Sequence, residues 1–272
     1  MRLSPIASGS SGNSIYVGSD RTHLLVDTGI SRKRIEEGLS LLDVSGNDID
    51  GILITHEHSD HIQGLGVFCR KYHVPIYATR STIMEIEKIN ALGDIDASLF
   101  NVVQPDIGLT IGDIDITPMH IYHDAADPVG YTFTCKNTKI AVATDLGHYD
   151  DYIISHLTGL NSILIESNHD VRMLQVGPYP YRLKQRILSE NGHLSNENAG
   201  RLLNRILNDN MGPVFLGHLS HENNMPELAY ESVRLEIDMG DCPYKSGDIE
   251  IRVAHRGLHR CGRLPGNHAA SV

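Results

Sequence analysis

The chain has 272 residues, enough for one large domain or two small ones. Hydrophobic residues make up 40% and charged residues 21%, which allows a buried core and excludes an intrinsically disordered chain. Acidic residues (34) outnumber basic ones (23), and the formal net charge of −11 excludes a protein that coats nucleic acid through bulk positive charge.

In chain order, the first forty residues read as strand, a Gly/Ser turn at 8–13, strand, turn, a strand over 23–27, and a helix. That helix carries Ile35, Leu39 and Leu42 on one face. The apolar stretch Gly51-Ile52-Leu53-Ile54 comes next, then a helix with Ile62, Leu65, Cys69 and Tyr72 at helical spacing. A short strand over 74–78 precedes a third helix, for which Thr82 with Glu85 resembles a capping box. From 98 to 144 the pattern is strands: 109–111, 114–120, 131–135 and 139–144, with turns at Gly112-Asp113 and Lys136-Asn137. Helices and strands then alternate. Ser195 is placed to cap a helix with Ala199, Leu202, Leu203 and Ile206 on one stripe. No internal repeat or long linker is read. Strand-rich halves mixed with helices point to two packed sheets with helices outside. A loose tail is expected from about 256 to 272, and its His259 and His268 are not counted as ligands.

Cys69, Cys135, Cys242 and Cys261 form no close CxxC pair, so a zinc knuckle is not expected. Met1-Arg2-Leu3-Ser4 leads into a Gly/Ser loop without a signal-peptide pattern. No apolar run approaches the ~18–20 residues of a membrane span. The expected setting is the cytoplasm, with reduced thiols and no membrane partner.

Thr55-His56-Glu57-His58-Ser59-Asp60-His61 carries the most chemistry. Imidazole and carboxylate are the donors that zinc and its neighbours prefer. In an extended segment His-x-His sets two rings on one side. Asp-His a turn later can face a second ion, about 3.5–4 Å from the first in two-metal sites. A cluster of surface histidines is the plainer alternative. Other apolar strands also end in capable residues: 139–144 in Asp145, 162–165 in Glu166, 213–217 in His218. Strand ends on one edge of a sheet commonly build a site. Any one of them alone is more often structural.

His56-x-His58-x-Asp60-His61, then His123, Asp145 and His218, resemble the ligand motifs of the metallo-β-lactamase fold, in its nuclease branch. The Gly/Ser loop at 8–13 and the segments 123–131, 166–170, 192–196 and 217–224 look like the bacterial YycJ (also WalJ or VicX) proteins, over residues 1 to 255. The resemblance implies an α+β fold, a four-layer αββα sandwich, over 1–255. It implies His56, His58 and His123 on one divalent ion, and Asp60, His61 and His218 on another, with Asp145 bridging. His120 is the near rival of His123, and is placed in the preceding strand. Asp27 matches a fold-wide Asp that orients the ligand loop without being a ligand. Catalytic roles fall to Asp60, Glu166 and His193. His193 would protonate the leaving oxygen while Glu166 orients it. The alternative is that Gly192-His193 merely ends one helix while Ser195 starts the next.

The implied activity is metal-dependent phosphodiester hydrolysis on DNA, an exonuclease working 5′ to 3′ in DNA repair. Zinc or manganese is expected, with iron also compatible. Arg172, Arg182, Lys184 and Arg186, with Tyr179 and Tyr181, would contact the substrate, or else line a solvated helix face. One rival is a small-molecule hydrolase of the same fold, acting on a cyclic phosphodiester, thioester or lactone. The other is a non-enzymatic metal-sensing module, against which Glu166 and His193 argue. Oligomeric state is not readable from the sequence.

Overall fold

Strands covered on both faces need apolar residues at consecutive positions, not only at alternate ones. The computed structural model, which describes residues 1–255, has that pattern in two sheets. The first sheet pairs β1 (Arg2–Ala7), β2 (Ser14–Gly18), β3 (His23–Val26), β4 (Gly51–Leu53), β5 (Ile76–Thr79) and β6 (Phe100–Val103) in sequence order. Helices α1 (Arg32–Ser40), α2 (Ser59–Ile62), α3 (Leu65–Tyr72) and α4 (Arg80–Ile86) interrupt those strands. The second sheet contains β7 (Leu109–Ile111), β8 (Ile114–His120), β9 (Val129–Cys135), β10 (Thr138–Ala143), β11 (Ser162–Glu166), β12 (Val214–Gly217) and β13 (Ile251–Val253), in spatial order from β13 to β7. Its helices are α5 (Asp151–His156), α6 (Val171–Val176), α7 (Tyr181–Ile187), α8 (Asn196–Ile206) and α9 (Pro226–Met239).

Alternate side chains of each strand go to different apolar layers. Ile15, Val17, Leu24, Val26 and Leu53 meet Ile116, Tyr131, Phe133, Val142 and Leu164 between the sheets. Tyr16, Leu25, Ile52 and Ile54 point the other way, onto Ile35 and Leu39 of α1 and Leu65, Phe68 and Cys69 of α3. Ala141, Ala143, Ile163 and Ile165 leave the second sheet toward Leu202, Leu203 and Ile206 of α8 and Val233 and Ile237 of α9. The result is the expected α+β sandwich of helices, sheet, sheet and helices. β3 and β4 are parallel, and so are β10, β11 and β12. Parallel neighbours end at the same edge, so the chemically capable strand endings gather there.

Several boundaries differ from the expectations. The helix expected after the ligand run is two helices, α2 and α3, broken at Gln63-Gly64. A Cβ on Gly64 would lie 2.1 Å from the Ile30 carbonyl oxygen, and one on Gly29 would lie 1.6 Å from that of Asp60. Backbone packed this closely against the ligand loop leaves no room for a continuous helix. The cap of α4 is Thr79, not Thr82: the Thr79 side chain accepts from the Thr82 N–H. Thr79 also donates to the Asp127 carbonyl at 2.9 Å, which holds it at the strand end and starts the helix earlier. Ser195 caps α8 as expected, accepting from Asn198 N. Cys69, Cys135 and Cys242 are free. Among the described residues no helix is long and apolar enough to cross a membrane. The expected loose tail at 256–272, with Cys261, His259 and His268, lies outside the described residues.

Two bonds pin the second sheet to the chain just before the ligand run. Tyr131 Oη donates to the Ile54 carbonyl at 2.8 Å, and Val129 N donates to that of Thr55 at 3.0 Å. Tyr131→Phe is expected to lower unfolding stability by about 1–2 kcal/mol, because a buried carbonyl loses its hydroxyl donor. An unchanged urea midpoint with an unchanged slope would contradict this.

Candidate metal centre

The chain turns sharply after β3, β10 and β12. Asp27 (φ 61°), Asp145 (φ 57°) and His218 (φ 54°) take the left-handed backbone conformation there. Asp and His tolerate that region better than most residues with a Cβ, and such outliers cluster at functional sites. All three side chains belong to the same buried cluster.

Asp27 fastens the ligand run. Its Oδ1 accepts from Thr55 N at 2.9 Å, and its Oδ2 accepts from Thr55 Oγ1 at 2.9 Å. The same Oδ2 lies 2.7 Å from His61 Nδ1. With Nδ1 engaged, the Nε2 lone pair of His61 turns toward the centre. From the other side Asn13 N donates to the Asp60 carbonyl at 2.8 Å, and Asn13 Nδ2 approaches His61 Nε2 at 3.1 Å. The loop at 8–13 therefore borders the site, and Ser8 Oγ accepts from His218 N at 2.9 Å.

Two triads result: His56, His58 and His123, and Asp60, His61 and His218, each with donor atoms close enough to hold one ion. Asp145 lies between them, grouped with His56 and His61. His120 stays in β8 beside Tyr122, outside every such group among the described residues. The spacing fits coordination better than direct bonding. His123 Nε2 faces His58 Nδ1 at 3.3 Å, and the Gly192 carbonyl 3.1 Å from His123 Nδ1 assigns the proton to that other nitrogen. His218 Nε2 is 3.3 Å from Asp60 Oδ2, and His61 Nε2 is 3.1 Å from Asp145 Oδ2. Donors on a tetrahedral ion, each ~2.0–2.1 Å from it, stand roughly 3.3–3.4 Å apart. His56 Nε2 is buried without a hydrogen-bond partner. An orphaned buried acceptor is costly, and an ion at the centre would remove that cost. The donor set thus fits two divalent cations.

Glu166 is fully buried. Its Oε1 lies 2.8 Å from His193 Nδ1 and 2.8 Å from His218 Nδ1, while Oε2 accepts from Leu146 N and Leu194 N. Glu166 and His193 also group with Asp145 and His218 as a candidate ion site. The 2.8 Å pairs are ordinary N–H···O distances, so protons already satisfy this group and it needs no ion. His193 borders the cleft. The two loops that carry these histidines are alike: Gly192-His193-Leu194-Ser195-Asn196-Glu197-Asn198 and Gly217-His218-Leu219-Ser220-His221-Glu222-Asn223. The expectation of no internal repeat is corrected here, since a Gly-His-Leu-Ser-x-Glu-Asn stretch occurs twice and brings both rings to one oxygen. Asn168 ties the copies together. Its N donates to Leu194 O, its O accepts from Ser220 N, and its Nδ2 donates to His218 O at 2.9 Å.

Burial and neighbouring charge set the protonation. Burial, reinforced by His61, holds His56 well below the ordinary imidazole value, and burial likewise lowers His123. These rings are neutral donors. Burial also opposes charge on His61 and His218, but carboxylates overcome it. Asp145, Asp27 and Asp60 raise His61 well above its ordinary value, and Asp145, Asp60 and Glu166 push His218 up to about 10. Burial works to raise the Glu166 carboxyl, but His193 and His218 bring it down to about 2. Asp60, Asp145 and Glu166 are thus held toward the ionised form, whereas burial raises Asp27 despite its bonds to His61 and Thr55.

A cleft of about 430 Å³ opens over the cluster. His58, Asp60, Asp145, His193 and His218 form its floor, with Tyr179, Leu183, Arg186 and Ile187 among its walls. Among the expected site residues, the structure brings together all seven ion-binding candidates, Glu166 and His193. Asn13, Thr55 and Asn168 were not assigned roles from sequence. Their signal was position alone, beside the ligand run and the duplicated loops.

The family model for the metallo-beta-lactamase superfamily matches residues 7–218. The chain is 43% identical to exodeoxyribonuclease YycJ of Bacillus anthracis, over 86% of this chain and 88% of that protein. It is 42% identical to exodeoxyribonuclease WalJ of Streptococcus pneumoniae, over 88% and 89%. Among solved structures, the metallo-beta-lactamase fold protein YhfI of Bacillus subtilis superposes with a TM-score of 0.69 at 19% identity, over 94% and 98% of the two chains.

Asp27→Asn keeps the side-chain size but removes one acceptor oxygen, so Thr55 N and His61 Nδ1, which use different oxygens, cannot both keep an acceptor. Ion affinity is expected to fall about 10–100-fold, read by competition with a chelator. Wild-type affinity in a folded variant would contradict the orienting role of Asp27.

Proposed function

This chain belongs to the metallo-β-lactamase superfamily and, within it, to the family of the exodeoxyribonucleases YycJ and WalJ, and we propose that it removes nucleotides from DNA ends with two divalent ions. The observation that supports this reading best is the meeting of two ion-sized donor triads at Asp145, beneath a cleft that His193 lines. His56, His58 and His123 would hold one ion, Asp60, His61 and His218 the other, and Asp145 would serve both. Bound ions supply an activated water near neutral pH and charge stabilisation for the phosphoryl group. Mixed imidazole and carboxylate donors suit zinc or manganese, and also iron.

The side chains supply the rest. His193 presents Nε2 to the leaving oxygen and protonates it. Glu166, without access to the cleft, is a positioning residue that sets the tautomer of both His193 and His218. Asp60 sits in the cleft floor, where a ligand also orients the phosphate. Cleavage from 5′ to 3′ and a place in DNA repair belong to the same reading, as does residues 1–255 acting as one hydrolase unit.

Replacing His58 and Asp145 together with Asn is expected to abolish release of nucleotides from single-stranded DNA while the circular dichroism spectrum is kept. Undiminished release would overturn the reading. His193→Ala is expected to slow turnover about 10²–10⁴-fold with ion content unchanged. Loss of ions from that variant would reassign His193 from proton donor to ligand support.

A further inference from the structure

Each triad takes two donors from the ligand run and one from the second sheet: His123 after β8, His218 after β12. Each crossing needs a tie. His218 has two, since its N donates to Ser8 Oγ and its ring meets Glu166. The His123 ring is oriented by the Gly192 carbonyl, and the neighbouring Asp124 by Asn191 O and Arg186. Those partners come from the second half of the chain, so they do not join His123 to the ligand run.

The join is made by Glu57. Residues 121–128 connect β8 to β9 and carry His123. In the middle of that loop Ala126 N donates to Glu57 Oε1 at 2.8 Å. Glu57 stands between His56 and His58. Alternate side chains of an extended run point to opposite sides, so the residue between two ligand rings is turned away from the ion and toward the loop. The far end of the loop is closed separately. Val129 N donates to Thr55 O at 3.0 Å, and Thr79 Oγ1 donates to Asp127 O at 2.9 Å. Glu57 uses one oxygen on Ala126, and its Oε2 is buried without a hydrogen-bond partner.

The His123 ring stands 4.9 Å from that of His56 and 5.1 Å from that of His58, centre to centre. Ligand distances hold to about 0.2 Å. A small drift of the 121–128 loop therefore takes His123 off an ion while Asp60, His61 and His218 stay in place.

We infer that Glu57 is a positioning residue, a strap that holds the His123 loop against the ligand run and sets the affinity of the His56–His58–His123 site alone. The inference rests on the two-ion reading of the centre.

The test reads zinc binding, apart from any nucleotide release. The full chain is stripped with a chelator and titrated with zinc against a chromophoric competitor in two backgrounds. His218→Asn leaves the first triad complete, and His58→Asn leaves the second. Adding Glu57→Ala to the first background is expected to weaken zinc about tenfold, the low end of what a lost orienting partner costs. Adding it to the second is expected to change nothing. Glu57→Gln, whose amide oxygen still accepts from Ala126 N, is expected to bind as its parent does in both. Glu57→Asp keeps the charge but is one methylene shorter, and is expected to lose as much as Glu57→Ala. Parental affinity in Glu57→Ala, a loss shared by both backgrounds, or a loss in Glu57→Gln equal to that in Glu57→Ala would overturn the inference. No zinc in either background would overturn the two-ion reading and the strap with it, whereas two zinc sites that both ignore Glu57 would overturn the strap alone.

Discussion

A carboxylate removed from water must be met by positive charge or by N–H donors, and this fold removes three of them completely. Asp27, Asp145 and Glu166 are each at most 1% exposed, and they sit within one cluster. Asp27 is answered by Thr55 and His61, and Glu166 by two histidines and two backbone amides. Asp145 is met by imidazoles instead: His61, His123, His193 and His218 ring it, with His61 Nε2 3.1 Å from Oδ2. Burial works to raise its carboxyl, but His218 and His61 hold it well below the ordinary value. The cluster is organised around this carboxylate. Parallel strands deliver the groups to one edge, left-handed turns aim them inward, and cations at the two triads would take over the role the imidazoles play toward Asp145.

The same electrostatics separates the triads. His56 and His123 are kept neutral by burial, whereas carboxylates raise His61 and His218, so that an ion binding at their Nε2 atoms would take the place of a proton. Glu166 links the second triad to the cleft, because one oxygen serves both a ring of that triad and the ring proposed as proton donor. In the proposed mechanism, ion binding and proton delivery would share a single buried carboxylate. The duplicated Gly-His-Leu-Ser-x-Glu-Asn stretches build this arrangement from the same residues in different backbone settings: His218 takes the left-handed conformation and joins a donor triad, while the first copy runs into α8 and sets His193 at the cleft.

Much of this was legible in the sequence, for physical reasons. Continuous apolar runs marked strands covered on both faces, and a buried strand that ends in His or Asp invites a site at its end. Four donors within six residues could not be mistaken for a core pattern. The features that escaped are those that depend on distant parts of the chain. Thr79 replaces Thr82 as a cap because the Asp127 carbonyl, 48 residues away, holds it. The helix after the ligand run breaks because Gly64 packs on the Ile30 carbonyl. Glu166 read as a partner for His193 alone, and its second bond, to His218 52 residues later, appears only when β11 and β12 pair.

The central claim is that Asp145 joins two separate ion sites. Anomalous diffraction from crystals of the ion-loaded chain tests it most directly. The account predicts two peaks, one within bonding distance of His56, His58 and His123, the other of Asp60, His61 and His218, with Asp145 oxygen reaching both. A single peak, or a second ion held by Glu166 and His193, would contradict it.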